Sequence, residues 1–196
     1  MKNLPHYFIA IPIPLTLKDM FYDWQNELRQ KLSYKQWPTK HDLHITLKFL
    51  GSVNETTLQA LQTQLTKLED FHPFKLNVGE VGTFGNPKSP RVLWAGVENN
   101  EFLTLLQEKV EECSSKEGFN KEQRNYHPHI TLAKKWKGST LDNSELTDMK
   151  KKYIDTIHTF TVDKVVIYQI HPTQVPKYEI VSRYLLKGGF EDGTIN

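Results

Sequence analysis

The apolar positions of this chain alternate between two spacings. Tyr7 to Ile11 is a nearly unbroken apolar run closed by Pro12 and Pro14, so residues 6–13 predict a buried strand. Leu17, Met20, Phe21, Trp24, Leu28 and Leu32 follow at helical spacing over 16–32. Trp37-Pro38 breaks that stripe, and Leu43 to Leu50 predicts a strand ended by Gly51. Ser52 with Glu55 has the form of a capping box for a helix over about 54–69, striped by Leu58, Leu61, Leu65 and Leu68. Residues 73–81 then alternate, with Phe74, Leu76 and Val78 on one face.

The order then starts again. After a loop from Gly82 to Pro90 comes a strand, Arg91 to Val97, and a helix over about 100–117 striped by Leu103, Leu106, Val110 and Cys113. A strand at 129–134, a short helix near 144–152, a long strand from Phe160 to Ile170 and a last strand from Tyr178 to Leu186 complete the pattern. The tetrapeptide His44-Ile45-Thr46-Leu47 recurs as His129-Ile130-Thr131-Leu132, 85 positions later, on the corresponding strand. His72-Pro73-Phe74-Lys75-Leu76 is echoed by His158-Thr159-Phe160-Thr161-Val162. The repeat predicts an α+β fold, a single domain over 1–196 made of two pseudo-symmetric lobes, approximately 1–81 and 91–187. Strand exchange between the lobes at their ends is compatible with it. The glycine-containing tail after Lys187 is expected to fray.

On a strand, His44 and Thr46 share one face while Ile45 and Leu47 take the other, and the same holds for His129 and Thr131. Each copy presents an imidazole and a hydroxyl side by side on an apolar backing. Brought together by pseudo-twofold symmetry, they make a cleft with two histidines and two threonines. Two imidazoles that titrate near neutrality suit acid–base catalysis, one accepting a proton while the other donates. Threonine hydroxyls can hydrogen-bond phosphate oxygens. Lys48 shares the sequence parity of His44 and Thr46, Lys134 follows the second copy, and both would face negative charge developing on phosphorus. The pattern points to phosphodiester hydrolysis without a metal.

Other readings are narrower. His41 with His44, and His127 with His129, suggest metal ligation, but three-residue spacing puts His41 off the face of His44, and Asp42 is the only carboxylate beside either motif. No metal and no cofactor are therefore expected. His127 is separated from its strand by Pro128 and reads as a turn residue. The lysines at 150–152 sit at a helix C-terminus, where cations suit the dipole. The net charge of +2 excludes a chain that binds nucleic acid through its charge as a whole, so an anionic partner needs a local cluster. The single cysteine, Cys113, excludes an internal disulfide and fits a cytoplasmic protein; its place on a helical stripe marks it as core. Residues 7–15 are too short, and too broken by proline, to cross a membrane, and no membrane partner is expected.

Four segments together resemble one family: Phe8-Ile9-Ala10-Ile11; Asp42-Leu43-His44-Ile45-Thr46-Leu47-Lys48-Phe49-Leu50-Gly51; Arg91-Val92-Leu93-Trp94-Ala95-Gly96-Val97; and Pro128-His129-Ile130-Thr131-Leu132-Ala133-Lys134. In this order they resemble the two-histidine phosphoesterases, and most nearly the bacterial and archaeal RNA 2′,3′-cyclic phosphodiesterases long called 2′-5′ RNA ligases. The resemblance implies two antiparallel sheets facing a central groove with helices outside. It implies metal-free opening of a terminal 2′,3′-cyclic phosphate on RNA ends or nucleotides to a 2′-phosphomonoester. His44 would be the proton donor, His129 the proton acceptor, and Thr46 and Thr131 the phosphate ligands. Two positions depart from the family, Lys134 and His6 where arginines are common, and lysine keeps the charge without the bidentate fork. Cleavage or ligation of a 2′-5′ phosphodiester, and a non-catalytic nucleotide- or RNA-binding module, are the alternatives. Tyr126, Trp37, Phe8 and Tyr168 are candidates to stack on a base, and a monomer is expected because one chain already holds both halves.

Overall fold

The computed structural model describes residues 4–188; residues 1–3 and 189–196, with most of the tail expected to fray, lie outside the described residues. The chain runs β1 (His6–Pro12), α1 (Leu15–Arg29), β2 (Tyr34–Gln36), β3 (His44–Ser52), α2 (Glu55–Leu65), β4 (Phe74–Asn86), β5 (Ser89–Val97), α3 (Glu101–Lys116), β6 (His129–Trp136), α4 (Asn143–Tyr153), β7 (Ile157–Val162), β8 (Lys164–Ile170) and β9 (Tyr178–Leu185). The helical stripes lie where the spacing puts them: Leu17, Phe21, Trp24 and Leu28 of α1 are buried, as are Leu103, Leu106, Val110 and Cys113 of α3.

Three local expectations need correction, and one strand has no counterpart among them. The N-cap of α2 is Asn54, whose side chain accepts from the Thr57 amide at 2.9 Å, while Ser52 still belongs to β3. The expected loop from Gly82 to Pro90 is a β-hairpin: β4 continues to Asn86, pairs Asn86 with Ser89, and turns at 87–88. The expected strand 160–170 is two strands separated at Asp163. The short β2 carries no recognisable strand pattern; it pairs Tyr34 and Gln36 with Trp136 and Lys134.

Every strand pair is antiparallel, in the order β7-β4-β5-β6-β3-β1-β8-β9, with β2 on β6. The two expected sheets are thus one hydrogen-bonded path among the described residues, but its centre is thin. β3 and β6 share the single pair Ile45–Ile130, whereas β1–β3 and β4–β5 are ladders. The strands that carry the two His-x-Thr motifs are therefore neighbours at the seam. β4 stands beside β5 as β8 stands beside β1, so each half of the sequence ends on a strand in the other wing. The echo of 72–76 in 158–162 joins strands that pair with each other at one edge, Leu76 opposite Phe160, rather than strands in equivalent places.

Ile45, Leu47, Ile130 and Leu132 sit in the main core with the helix stripes, 3% exposed or less. A small second cluster of Phe8, Ala10, Val166 and Tyr168 lies apart from it. Among the described residues no helix is long and apolar enough to cross a membrane.

Candidate active site

Both motif histidines are fixed in the same way. Nδ1 of His44 lies 2.6 Å from the carbonyl of Asp42, and Nδ1 of His129 lies 2.8 Å from the carbonyl of His127. A carbonyl only accepts, so each Nδ1 carries the proton and each Nε2 is left to accept one. Nε2 of His44 takes the hydroxyl of Thr46 at 3.0 Å. His44, Thr46 and Thr131 line one cleft of about 590 Å³, His129 and Thr46 line an adjoining larger one, and the two share Thr46, Phe49 and Lys134. The structure thus brings the two histidines and two threonines to one continuous groove.

Each histidine sits among rings. His44 packs on Phe8 at 4.7 Å between centroids, Tyr178 at 5.3 Å and Tyr168 at 5.7 Å. Phe84 meets His129 edge-on at 4.9 Å, and His127 lies against Phe84 and Trp94. Trp94 fits because residue 82 is glycine: a Cβ there would come within 2.1 Å of the indole ring. These apolar surroundings disfavour charge on the imidazoles. Burial pushes His44 down to about 4, against smaller opposing effects of the Asp42 carbonyl and carboxylate. Burial also lowers His129, and the neighbouring His127 lowers it further.

Lys48 does not stand beside His44 and Thr46, contrary to its sequence parity; it is buried in the wall of the larger cleft, away from the one His44 lines. β3 bulges after Thr46: Ala10 pairs with Thr46 but Ile9 pairs with Lys48, leaving Leu47 as the extra residue. The bulge inverts the alternation, so Lys48 takes the core side, where Nζ meets Glu111 at 2.7 Å and the Asn120 carbonyl at 2.8 Å. Phe49 takes the groove side, 62% exposed. β6 bulges at the equivalent place, pairing Trp94 with Thr131 and Leu93 with Ala133. There the inversion puts Ala133 in the core and Lys134 in the groove, so the two lysines are not equivalent. Burial lowers Lys134, and the charges of Lys177 and Lys135 add to it.

Asp42 and Tyr126 act in ways that no local sequence pattern signals. The buried Asp42 carboxylate accepts from the Thr39 hydroxyl at 2.7 Å and from the amides of Lys177 and Tyr178 at 2.8 and 3.2 Å. It thereby ties the loop before β9, with Lys177, to the start of β3. Tyr126 donates to the Thr46 carbonyl at 3.0 Å and so braces the motif strand. Of the other candidate stackers, Phe8 and Tyr168 are buried against His44, and Trp37 lines the smaller cleft under Arg29. His41 is exposed and contributes its carbonyl to Lys18. No three of His, Cys, Asp and Glu form a metal-holding group among the described residues.

A wide antiparallel sheet whose seam strands each present His-x-Thr to a shared groove defines a class of protein, and the comparisons agree on which. The chain belongs to the 2′-5′ RNA ligase superfamily, whose family model matches residues 17–174. It is 33% identical over 191 residues to an RNA 2′,3′-cyclic phosphodiesterase of Bacillus subtilis (strain 168), covering 93% of this chain and 97% of that one. It is 32% identical over 180 residues to the protein of the same name from Methanocaldococcus jannaschii, covering 90% and 98%. In fold it is similar to E. coli LigT, in the crystal structure complexed with 3′-AMP, with a TM-score of 0.76, 21% identity and coverage of 93% and 98%.

Proposed function

We propose that this protein hydrolyses the 2′,3′-cyclic phosphate at an RNA end to a 2′-phosphomonoester, using His44 and His129 as an acid–base pair with no metal or cofactor. The observation that carries this reading is the matched tethering of both Nδ1 atoms to main-chain carbonyls, which leaves two Nε2 atoms for the groove. Its relatives at 32–33% identity, named RNA 2′,3′-cyclic phosphodiesterase, support it.

In the proposed reaction, water attacks phosphorus and gives its proton to Nε2 of His129. The bond from phosphorus to O3′ breaks, and O3′ takes the proton of Nε2 of His44, leaving phosphate on O2′. Thr46, Thr131 and Lys134 hold the non-bridging oxygens. The residues at the two equivalent tethers act in opposite senses on these histidines, although burial, the larger effect, lowers both. The Asp42 carboxylate favours a proton on His44, and His127 disfavours one on His129. Burial, aided by the charges of Lys18 and His129, keeps His44 neutral in the free groove, so the incoming phosphate anion supplies the charge that lets it carry its proton.

Phosphorus NMR of the products tests the reading. An oligonucleotide ending in a 2′,3′-cyclic phosphate should yield a 2′-phosphomonoester. Binding without turnover would leave a nucleotide-binding module, and cleavage confined to a 2′-5′-linked dinucleotide would move the chemistry to that bond.

A further inference from the structure

We infer that the larger cleft on the His129 side is a track for single-stranded RNA leading to the reacting end, so that this protein favours oligonucleotide termini over free cyclic nucleotides. The inference rests on the reaction proposed above and adds where the rest of the strand goes.

Size separates the two clefts. The one with His44 and Thr131 holds about 590 Å³, within the roughly 300–1,000 Å³ of sites for one small molecule. The one with His129 holds about 1820 Å³, more than a single nucleotide needs. They meet at Thr46, Phe49 and Lys134, so a terminal nucleotide in the smaller cleft continues naturally into the larger.

The larger cleft has the character of a site for a flexible polyanion. Arg91, Lys121, Lys134 and Lys135 line it with no ion-pair partner among the described residues. Of its carboxylates, Glu111 is paired with Lys48 and Glu122 with Arg124, leaving Glu108. Aromatic groups are interleaved with the cations: Phe49, Phe84, Tyr126 and Trp136. Cations that follow a backbone, with rings that take successive bases, are the means by which single strands are bound without sequence readout.

Lys135 adds a second line of argument. Consecutive strand residues point to opposite faces, yet Lys134 and Lys135 both line this cleft. Lys135 has φ of +64°, a left-handed conformation that costs a non-glycine residue on the order of 1 kcal/mol. The strand is held in that conformation where it places two adjacent cations in one groove.

The test compares a mononucleotide with a hexanucleotide of the same 3′ base, in binding and in turnover. Binding uses fluorescently labelled 2′-phosphate products over a range of salt, and turnover uses 2′,3′-cyclic phosphates. The wild type should bind the hexanucleotide at least tenfold tighter, and kcat/KM should rise similarly. The Arg91→Ala/Lys121→Ala variant, both residues exposed, should lose most of that advantage and have a shallower salt dependence, by about 0.7 in log–log slope per phosphate contact removed. Its turnover of the mononucleotide should stay within about twofold of wild type. Equal binding of the two lengths, or hexanucleotide binding unchanged in the variant, overturns the track. Absence of turnover on both substrates counts against the proposed reaction alone, since the binding comparison still decides the track.

Discussion

The main-chain carbonyl of Asp42 accepts a hydrogen bond from Nδ1 of His44 at 2.6 Å, while the carboxylate of the same residue holds the amides of Lys177 and Tyr178. One buried residue thus fixes the tautomer of a catalytic candidate and the loop that closes the cleft around it. In the other half of the repeat, His127 makes the equivalent carbonyl tether to His129. The two halves share a backbone device and differ in the side chain of the residue that carries it, a carboxylate in one and an imidazole in the other.

Burial of His44 makes stability depend on pH. Its folded pKa of about 4 lies below the ordinary histidine value, so the unfolded chain binds a proton there that the folded chain resists. Stability from this group is therefore lost as pH falls from about 6.5 towards 4, by about 2–3 kcal/mol at pH 4.5. Urea unfolding at pH 7 and pH 4.5 should show wild type losing more stability than His44→Gln by about that amount. Equal losses would contradict the buried, neutral state.

Lys48 is predicted to act on stability rather than on phosphate. Lys48→Met leaves the half-buried Glu111, which still accepts from Gln107, without its cationic partner and should cost about 1–2 kcal/mol. The double variant Lys48→Met/Glu111→Leu should recover most of it. Thermal melts with steady-state kinetics decide the matter: a raised KM in Lys48→Met with an unchanged melting temperature would assign Lys48 to substrate binding.

Gly82→Ala tests the support of His129. The added methyl meets the Trp94 ring, whose displacement disturbs the packing with His127 and Phe84. Overpacking of this kind costs about 1–3 kcal/mol. A fall in kcat should accompany it in Gly82→Ala and be absent in Gly118→Ala, where φ of +83° makes alanine costly to stability but the added methyl meets no neighbour. Full activity in Gly82→Ala would show that Trp94 plays no part in holding His129.

The repeat of His-x-Thr, 85 residues apart, was enough to predict the elements around the site, because alternating apolar residues and a duplicated order carry that information. The fate of the next residues was not legible. A bulge at Leu47 and another at Leu132 reverse the alternation, and nothing in Leu47 or Leu132 distinguishes a bulged leucine from a paired one. The bulge in β3 turns Lys48 away from His44 towards Glu111 and brings Phe49 to the His44 side of the groove. The hairpin at 87–88 was hidden for a different reason: Gly82, Gly85 and Asn86 read as loop residues, although Gly82 is a strand position kept small for Trp94. Long-range partners such as Asp42 with Lys177, and Tyr126 with Thr46, depend on tertiary contacts that no local pattern encodes.

The central claim is that His44 and His129 act as one acid–base pair on a cyclic phosphate. It is tested most directly by turnover of a 2′,3′-cyclic phosphate-terminated oligonucleotide in wild type, His44→Ala and His129→Ala, each with excess EDTA. Wild type should retain full activity in the chelator, and each variant should lose about 10²–10⁴-fold in kcat. Wild-type activity that disappears with EDTA, or either variant turning over at the wild-type rate, would contradict the account.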